Sequence, residues 1–503
     1  MKKFKLSVAI VMIGTLLSKV MGLIREMLLA SKYGTGVISD SFIVSLNIPT
    51  VLISAVAGAI LTNYISVYAD AEKQGKETAK KFNGNLLTVA CIISTIIVIV
   101  FMLFTKPIVH LFAAGFGEEE LEYLITLSRI TIFCMYFIIC AHIFKGYLEF
   151  KGNFMGTSLY GVLMNTGMIA GIIFSTLENY HILGFGVILG YLLGFILLFA
   201  LAKRNEFSFK FNVDLKEEHF KKLVILTLPI LLNDAVWQIN GIVDKSIAST
   251  VGDGYISAIN YSHYIVDMIS SVFATSLVTV FFPNVVKMFK TKGIEEVKNK
   301  TRVILKFVAF IAIPCTVLIA IYSKTIVKVL LFRGAFNEES LNITSIAVSI
   351  YCLALVFVCM KTILFKVFYA LQDTKSPTKS AIISILTNII LTLILVNIVG
   401  YIGIVIATII ASVVSTVLLL RMFRKKNDSL LNKQLVHNFI KIICAAILMA
   451  LIIIISNQLT ANLFVINEIV TIITKAAIGF AFGAIIYLAS LYLMKFDFNL
   501  KEL

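Results

Sequence analysis

Runs of about 20 apolar residues, each long enough as a helix to cross a ~30 Å hydrocarbon core, recur along the whole 503-residue chain. Inside a bilayer every backbone N–H and C=O must find its partner within the protein, which confines such runs to α-helices. Charged residues make up 14% of the chain, well under the roughly 25% that covers a soluble domain. A soluble all-α protein is excluded on this ground. The expected fold is an all-α polytopic membrane protein.

Apolar runs separated by polar loops predict about 14 transmembrane helices, starting near residues 6, 37, 83, 121, 155, 182, 223, 254, 303, 341, 377, 402, 438 and 468. The net charge of +16 sits mainly in the short loops between them. Lys73, Lys76, Lys80 and Lys81 follow the second span, and Lys203, Arg204, Lys210, Lys216, Lys221 and Lys222 the sixth. Lys287, Lys290, Lys292, Lys298, Lys300 and Arg302 follow the eighth, and Arg421, Arg424, Lys425, Lys426 and Lys433 the twelfth. All are even-to-odd loops, so the positive-inside rule places both termini in the cytoplasm. The same distribution argues against a nucleic-acid partner. Odd-to-even loops are short or acidic, as in "GEEEL" from Gly117; the basic stretch from Lys324 to Arg333 is an exception. The opening "MKKFKLSVAIVMIGTLLSKVMG" resembles a signal peptide but has no A-x-A site and leads directly into "LIREM", so it reads as the first span. The seven cysteines lie in apolar runs without a CxxC, as packing residues rather than disulfides or metal ligands.

The chain also resembles itself. "GLIREMLLASKYGTGVIS" from Gly22 matches "GIVDKSIASTVGDGYIS" from Gly241, and "KPIVHLFAAGF" from Lys106 matches "KTIVKVLLFRGAF" from Lys324. "IFKGYLEF" from Ile143 falls opposite "LFKVFYAL" from Leu364, and Asn165 opposite Asn388. The implied organisation is an N-terminal six-helix lobe (1–202), a basic cytoplasmic linker (203–222), a homologous C-terminal lobe (223–433), and two additional helices with a tail (434–503). Parallel repeats of this kind are a transporter arrangement, with substrate near the interface between halves. The chain has no GxxxxGK[ST], HExxH or GxSxG, and no large outer loop for a catalytic domain, so neither an ATP-driven pump nor an enzyme is expected.

Charges inside the spans cost about 2.5–3.5 kcal/mol each at the bilayer centre and therefore mark a cavity or a partner. The first span carries Lys19, Arg25 and Glu26, and the second carries Asp40. Lys19 and Arg25 are roughly 120° apart around a helix, so they can share a broad cavity but not a tight pocket. Asp244 and Lys245 repeat the Arg25–Glu26 pattern with reversed sign, and His263 and Asp267 stand at i, i+4 on the eighth span. The alternative for Arg25 and Glu26 is snorkelling at a helix end. Pro49, Pro229 and Pro283 are candidate hinges, with Pro314 a further bend.

"SKVMGLIREMLLASKYGTGVISDSFIVSLNIPTVL", "LLFRGAF" from Leu330, "VFYALQDTKSPTKSAIISILTNIIL" from Val367 and "LTLPILLNDAVWQIN…VFFPNVV" from Leu226 resemble the MurJ/MviN family of bacterial lipid II flippases. The resemblance extends over essentially all the spans. It implies the multidrug/oligosaccharidyl-lipid/polysaccharide exporter fold, two lobes in a V around a cationic central cavity, in the bacterial cytoplasmic membrane. It implies a lipid-linked disaccharide-pentapeptide as substrate, moved between leaflets by alternating access. Membrane lipids are the surroundings; a monomer associated with cell-wall synthesis machinery is the expected state. Arg25 and Lys19 stand at basic cavity positions of the family, and Asp40 at an acidic one. Ile53 and Ser54 stand where the family has a basic pair, and Tyr264 where it has an arginine. The resemblance further implies a sodium ion held by Asp234, Asn388, Thr392, the Ile404 carbonyl and Thr408, so Na+ or the membrane potential is the expected energy source, with no other cofactor. A flippase for another lipid-linked oligosaccharide, such as a capsule or teichoic-type precursor, is the alternative; a multidrug/cation antiporter ranks below it because a cation calls for an acidic cavity.

Overall fold

The computed structural model describes residues 2–462 and 467–497; within its helices, the side chains of residues 2–10, 55, 229–230, 232–237, 272–284, 286–287, 290 and 292 lie outside the description. Among the described residues the secondary structure is helical throughout, with no strand. The first eight helices are α1 (Lys2–Tyr33), α2 (Val37–Gln74), α3 (Lys76–Leu103), α4 (Thr105–Phe112), α5 (Glu118–Thr131), α6 (Cys134–Phe150), α7 (Phe154–Phe174) and α8 (Ile182–Arg204). The next eight are α9 (Glu218–Val251), α10 (Tyr255–Lys292), α11 (Ile294–Ile321), α12 (Ser323–Leu331), α13 (Glu338–Tyr351), α14 (Ala354–Ala370), α15 (Lys375–Val399) and α16 (Ile402–Asn427). Two more follow, α17 (Lys433–Leu459) and α18 (Glu468–Leu493).

The internal repeat is visible helix by helix. α2 and α10 are each 38 residues long, α3 and α11 each 28, α5 and α13 each 14, and α6 and α14 each 17. Even the irregularities are copied: α5–α6 bends by 43° and α13–α14 by 44° at the matching break. Nine described helices are long and apolar enough to cross a membrane, or eleven when each bent pair counts as one span. The expected single spans from 121 and 341 are thus broken helices, and α4 and α12 are short helices that the apolar runs did not separate from their neighbours.

Two compact units form: Met1–Ser257 with Arg333–Phe336, and Ala258–Phe332 with Asn337–Leu503. In the first, α1 lies along α7, α7 along α8, and α2 packs on α5, α6 and α9. α7 and α8 approach backbone to backbone because glycines face each other; a Cβ on Gly167 would lie 2.2 Å from Gly190 N, and one on Gly171 2.6 Å from Gly186 Cα. In the second unit α15 lies on α16, and α17 packs between α11 and α18. Its core includes Ala309, Ile442, Ala445, Met449, Ile453 and Leu491.

Two prolines inside helices show how the freed carbonyls are satisfied. Pro49 in α2 has no N–H for the carbonyl of Ser45, which instead accepts from Thr131 Oγ1 at 2.9 Å. Thr131 is the last residue of α5, so the bend of one helix sits against the weak point of another. Pro314 in α11 likewise frees the Phe310 carbonyl, which accepts from Tyr487 Oη at 2.8 Å. At the places corresponding to Ser45 and Thr131, the second unit stacks His263 on Tyr351, with ring centroids 4.0 Å apart. Pro229 and Pro283 fall outside the described side chains.

The "LLFRGAF" motif has a structural use. Ala335 N donates to Ser31 O at 2.7 Å, docking residues 333–336 on the end of α1. Gly34 and Gly334 make the approach with φ of +60° and +62°, and a Cβ on either would meet a carbonyl oxygen at 2.6 Å or 2.1 Å. The basic stretch beginning at Lys324 is matched locally: Lys328 pairs with Glu468 at 2.5 Å and Lys324 approaches Glu338 at 4.0 Å.

Candidate functional site

The sequence-predicted cations of the first unit sit on the faces of α1 and α9. α1 is fastened to α7 along its length by polar contacts that an apolar packing face alone would not provide. Arg25 pairs with Glu26 and donates through Nη1 to Asn165 Oδ1 at 3.2 Å and to Met168 Sδ at 3.4 Å. Asn165 is itself held, donating to Gly161 O at 2.8 Å and Ser18 O at 3.3 Å. Further along, Lys32 Nζ donates to the carbonyls of Ile172 and Ile173, both at 2.8 Å, and Tyr33 Oη to Ser175 Oγ at 2.7 Å. The Arg25 side chain keeps 14% of its surface and Glu26 4%, so the pair is nearly desolvated with its guanidinium preset by α7. Lys19 is half-buried on α1, six residues earlier.

On α9, Lys245 reaches across to α2 and donates to Asn47 Oδ1 at 3.1 Å, while Asp244 accepts from Asn240 Nδ2 at 3.0 Å. Asn47 stands two residues before Pro49. The polar contact and the proline irregularity therefore share one turn of α2.

Asp40 is placed differently from the expectation that it faces a cavity. It is fully buried, and its two oxygens accept from Gly254 N and Ser257 N, each at 2.7 Å. These are donors of the first turn of α10, which the helix itself cannot satisfy. A carboxylate there also opposes the positive end of the helix dipole. Asp40 is a cap supplied from another helix, with both oxygens occupied by backbone. Ile53, where the family has a basic residue, is a fully buried core side chain.

In the second unit, Asp267 is exposed, and Tyr351 Oη donates to its Oδ1 at 3.4 Å, so His263, Tyr351 and Asp267 form one group. Of the residues implied for sodium, Asn388 Nδ2 donates to Thr408 Oγ1 at 3.2 Å and Thr408 to Ile404 O at 3.1 Å. Thr392 is fully buried, and its hydroxyl finds no hydrogen-bond partner among the described residues. These neutral oxygens suit a hard cation. Asp234 lies outside the described side chains.

Two cations were missed. Lys145 on α6 lies 3.6 Å from the centroid of the Tyr160 ring, and Lys361 on α14 is within electrostatic reach of Asp267. Lys145 is the one lysine of its apolar run and Lys361 shares its run with Lys366, and those interruptions were the available signal. The acid of the "YALQDTKSPT" motif, Asp373, accepts from Ser376 N at 3.1 Å, Ser376 Oγ at 2.7 Å and Lys426 Nζ at 2.6 Å. Burial pushes its carboxyl up, but the bonds from Lys426 and Ser376 outweigh this and hold it below the usual carboxylate range. The motif's acid ties the start of α15 to the end of α16.

Comparison with known proteins agrees with the architecture. The family model described as lipid II flippase MurJ matches residues 29–475. A probable lipid II flippase MurJ of Aquifex aeolicus (strain VF5) is 28% identical over 374 residues, 73% of this chain and 72% of that one. That of Rickettsia prowazekii (strain Madrid E) is 25% identical over 368 residues, 72% of each. A solved lipid II flippase MurJ in an inward closed conformation superposes with a TM-score of 0.81 at 24% identity, covering 96% of this chain and 99% of that one. An inward-facing multidrug resistance MATE family transporter of the MOP superfamily gives a TM-score of 0.68 at 17% identity, over 84% of this chain and 99% of that one. A match spanning 29–475 settles the relationship: the chain belongs to the lipid II flippase MurJ family.

Proposed function

We propose that this chain carries lipid II, an undecaprenyl diphosphate bearing a disaccharide-pentapeptide, from the inner to the outer leaflet of the bacterial cytoplasmic membrane by alternating access. The observation that carries the reading is the family match over residues 29–475. The preset Arg25 supports it. A diphosphate crossing a low-dielectric region needs cations along its path, and a planar guanidinium offers two parallel N–H bonds to phosphate oxygens. Glu26 neutralises Arg25 when no substrate is present, so the incoming diphosphate exchanges one anion for another instead of meeting an uncompensated buried charge. Exchange of this kind also permits release.

Both termini lie in the cytoplasm on this reading, the protein acts as a monomer, and no bond is made or broken in the substrate. Asn388, Thr392, Ile404 and Thr408 would hold a sodium ion, whose gradient, or the membrane potential, supplies the driving force. A second reading, transport of another lipid-linked glycan, is favoured by one observation: Ile53 is buried core where the family has a basic residue.

Complementation separates the two. Bacteria depleted of their own lipid II flippase receive wild type or Arg25→Ala at equal membrane expression. Rescue by wild type with failure of Arg25→Ala is expected. Failure of well-expressed wild type would move the other glycan to first place, and rescue by both would remove Arg25 from the substrate path.

A further inference from the structure

The second unit contains a polar cavity of about 530 Å³ where the starts of α11 and α17 meet the segment after α18. Lys300, Arg302 and Lys306 line it, against two carboxylates, Glu296 and Asp497. Lys306 is matched by Asp497 Oδ2 at 2.9 Å. Arg302 is held by Leu430 O, Ser429 O and Asn299 Oδ1, each at 2.9 Å. All three acceptors are neutral, so the guanidinium is fixed in place with its charge intact.

A second, independent observation points to a ligand. Asn438, on the second turn of α17, lines the cavity and is 6% exposed, yet its side-chain amide has no hydrogen bond among the described residues. A buried amide is normally paired, and one directed at a cavity is available to whatever enters. Asn432 caps only one donor of the α17 N-terminus, Leu435 N at 2.8 Å, leaving others directed outward at the positive end of the helix dipole.

We propose that this cavity binds a phosphate group, from an anionic lipid headgroup or from a soluble phosphorylated compound. Lys300 and Arg302 outnumber Glu296 once Lys306 and Asp497 are paired, so the excess charge suits an anion. Arg302 supplies a rigid fork, Lys300 a compact point charge, and Asn438 a neutral donor at the back. The site is distinct from Arg25 and does not rest on the lipid II reading.

The test uses the full chain purified in detergent. Native mass spectrometry in mixed phosphatidylglycerol and phosphatidylcholine reads lipid retention, and melting temperature against inorganic pyrophosphate reads a soluble ligand. Asn438→Asp keeps the size and brings in a negative charge; Lys300→Gln removes a cation from a half-buried position. Selective phosphatidylglycerol retention that falls at least about tenfold in either folded variant supports a lipid headgroup. A pyrophosphate-induced rise in melting temperature, lost in either variant without lipid selectivity, supports a soluble phosphate. Binding that is absent, or unchanged in both variants, overturns the proposal.

Discussion

Arg25 and Asp40 show how charged residues in apolar sequence come to different ends. Arg25 keeps part of its surface and leans on Asn165 through a neutral contact, whereas Asp40 is sealed and spends both oxygens on the backbone of α10. Arg25→Lys keeps the charge but not the fork, so it should retain partial transport while Arg25→Ala abolishes it, read as growth rate in depleted cells. Asp40→Asn replaces one acceptor with a donor facing a backbone N–H. It should destabilise the protein by about 1–3 kcal/mol, seen as a lower melting temperature in detergent. Lost transport at unchanged stability would instead return Asp40 to the substrate path. A carboxylate in an apolar run looks the same in sequence whether it faces water or a helix end, which is why the capping role of Asp40 was not legible. Lys145 and Lys361 went unread for a related reason, since lysines among apolar residues also occur as snorkelling side chains.

At the scale of helices, the repaired prolines and the turn at Asp373 make separate predictions. Thr131→Val leaves the Ser45 carbonyl unsatisfied and should cost about 1–3 kcal/mol. Pro49→Ala restores the N–H that Ser45 lacks, so Thr131→Val should cost markedly less in that background; a double-mutant cycle on melting temperatures measures the coupling. Equal costs in both backgrounds would show that the two residues act separately. For Asp373 the folded carboxyl lies below its unfolded value, so its stabilisation is present above the ordinary carboxylate range and is lost as pH falls through the folded value. Asp373→Asn should lower the melting temperature at neutral pH, with the difference from wild type shrinking as the medium is acidified. Pro49 and Pro314 announced their irregularities, but the breaks at 132–133 and 352–353 contain neither proline nor glycine and gave no local signal. What stands at each break is a tertiary contact, Thr131 Oγ1 on Ser45 O at 2.9 Å and Thr316 Oγ1 on Cys352 O at 3.3 Å.

Over the whole molecule, the helical membrane class and the duplication were legible because lipid permits few backbone solutions and because the matching segments survive in the residues. The copied bends of 43° and 44° extend that duplication to features that no residue pattern marks. The span count was less secure, since a broken helix and a short helix beside a long one both read as continuous apolar sequence. The central claim is that Arg25, preset by α7 and neutralised by Glu26, exchanges its carboxylate for the diphosphate of a lipid-linked substrate. The most direct test is reconstitution into liposomes with fluorescent lipid II, measuring the fraction that becomes accessible at the opposite leaflet. The account predicts translocation by wild type, a reduced rate for Arg25→Lys, and none above protein-free background for Arg25→Ala at equal incorporation. Equal translocation by wild type and Arg25→Ala would contradict it.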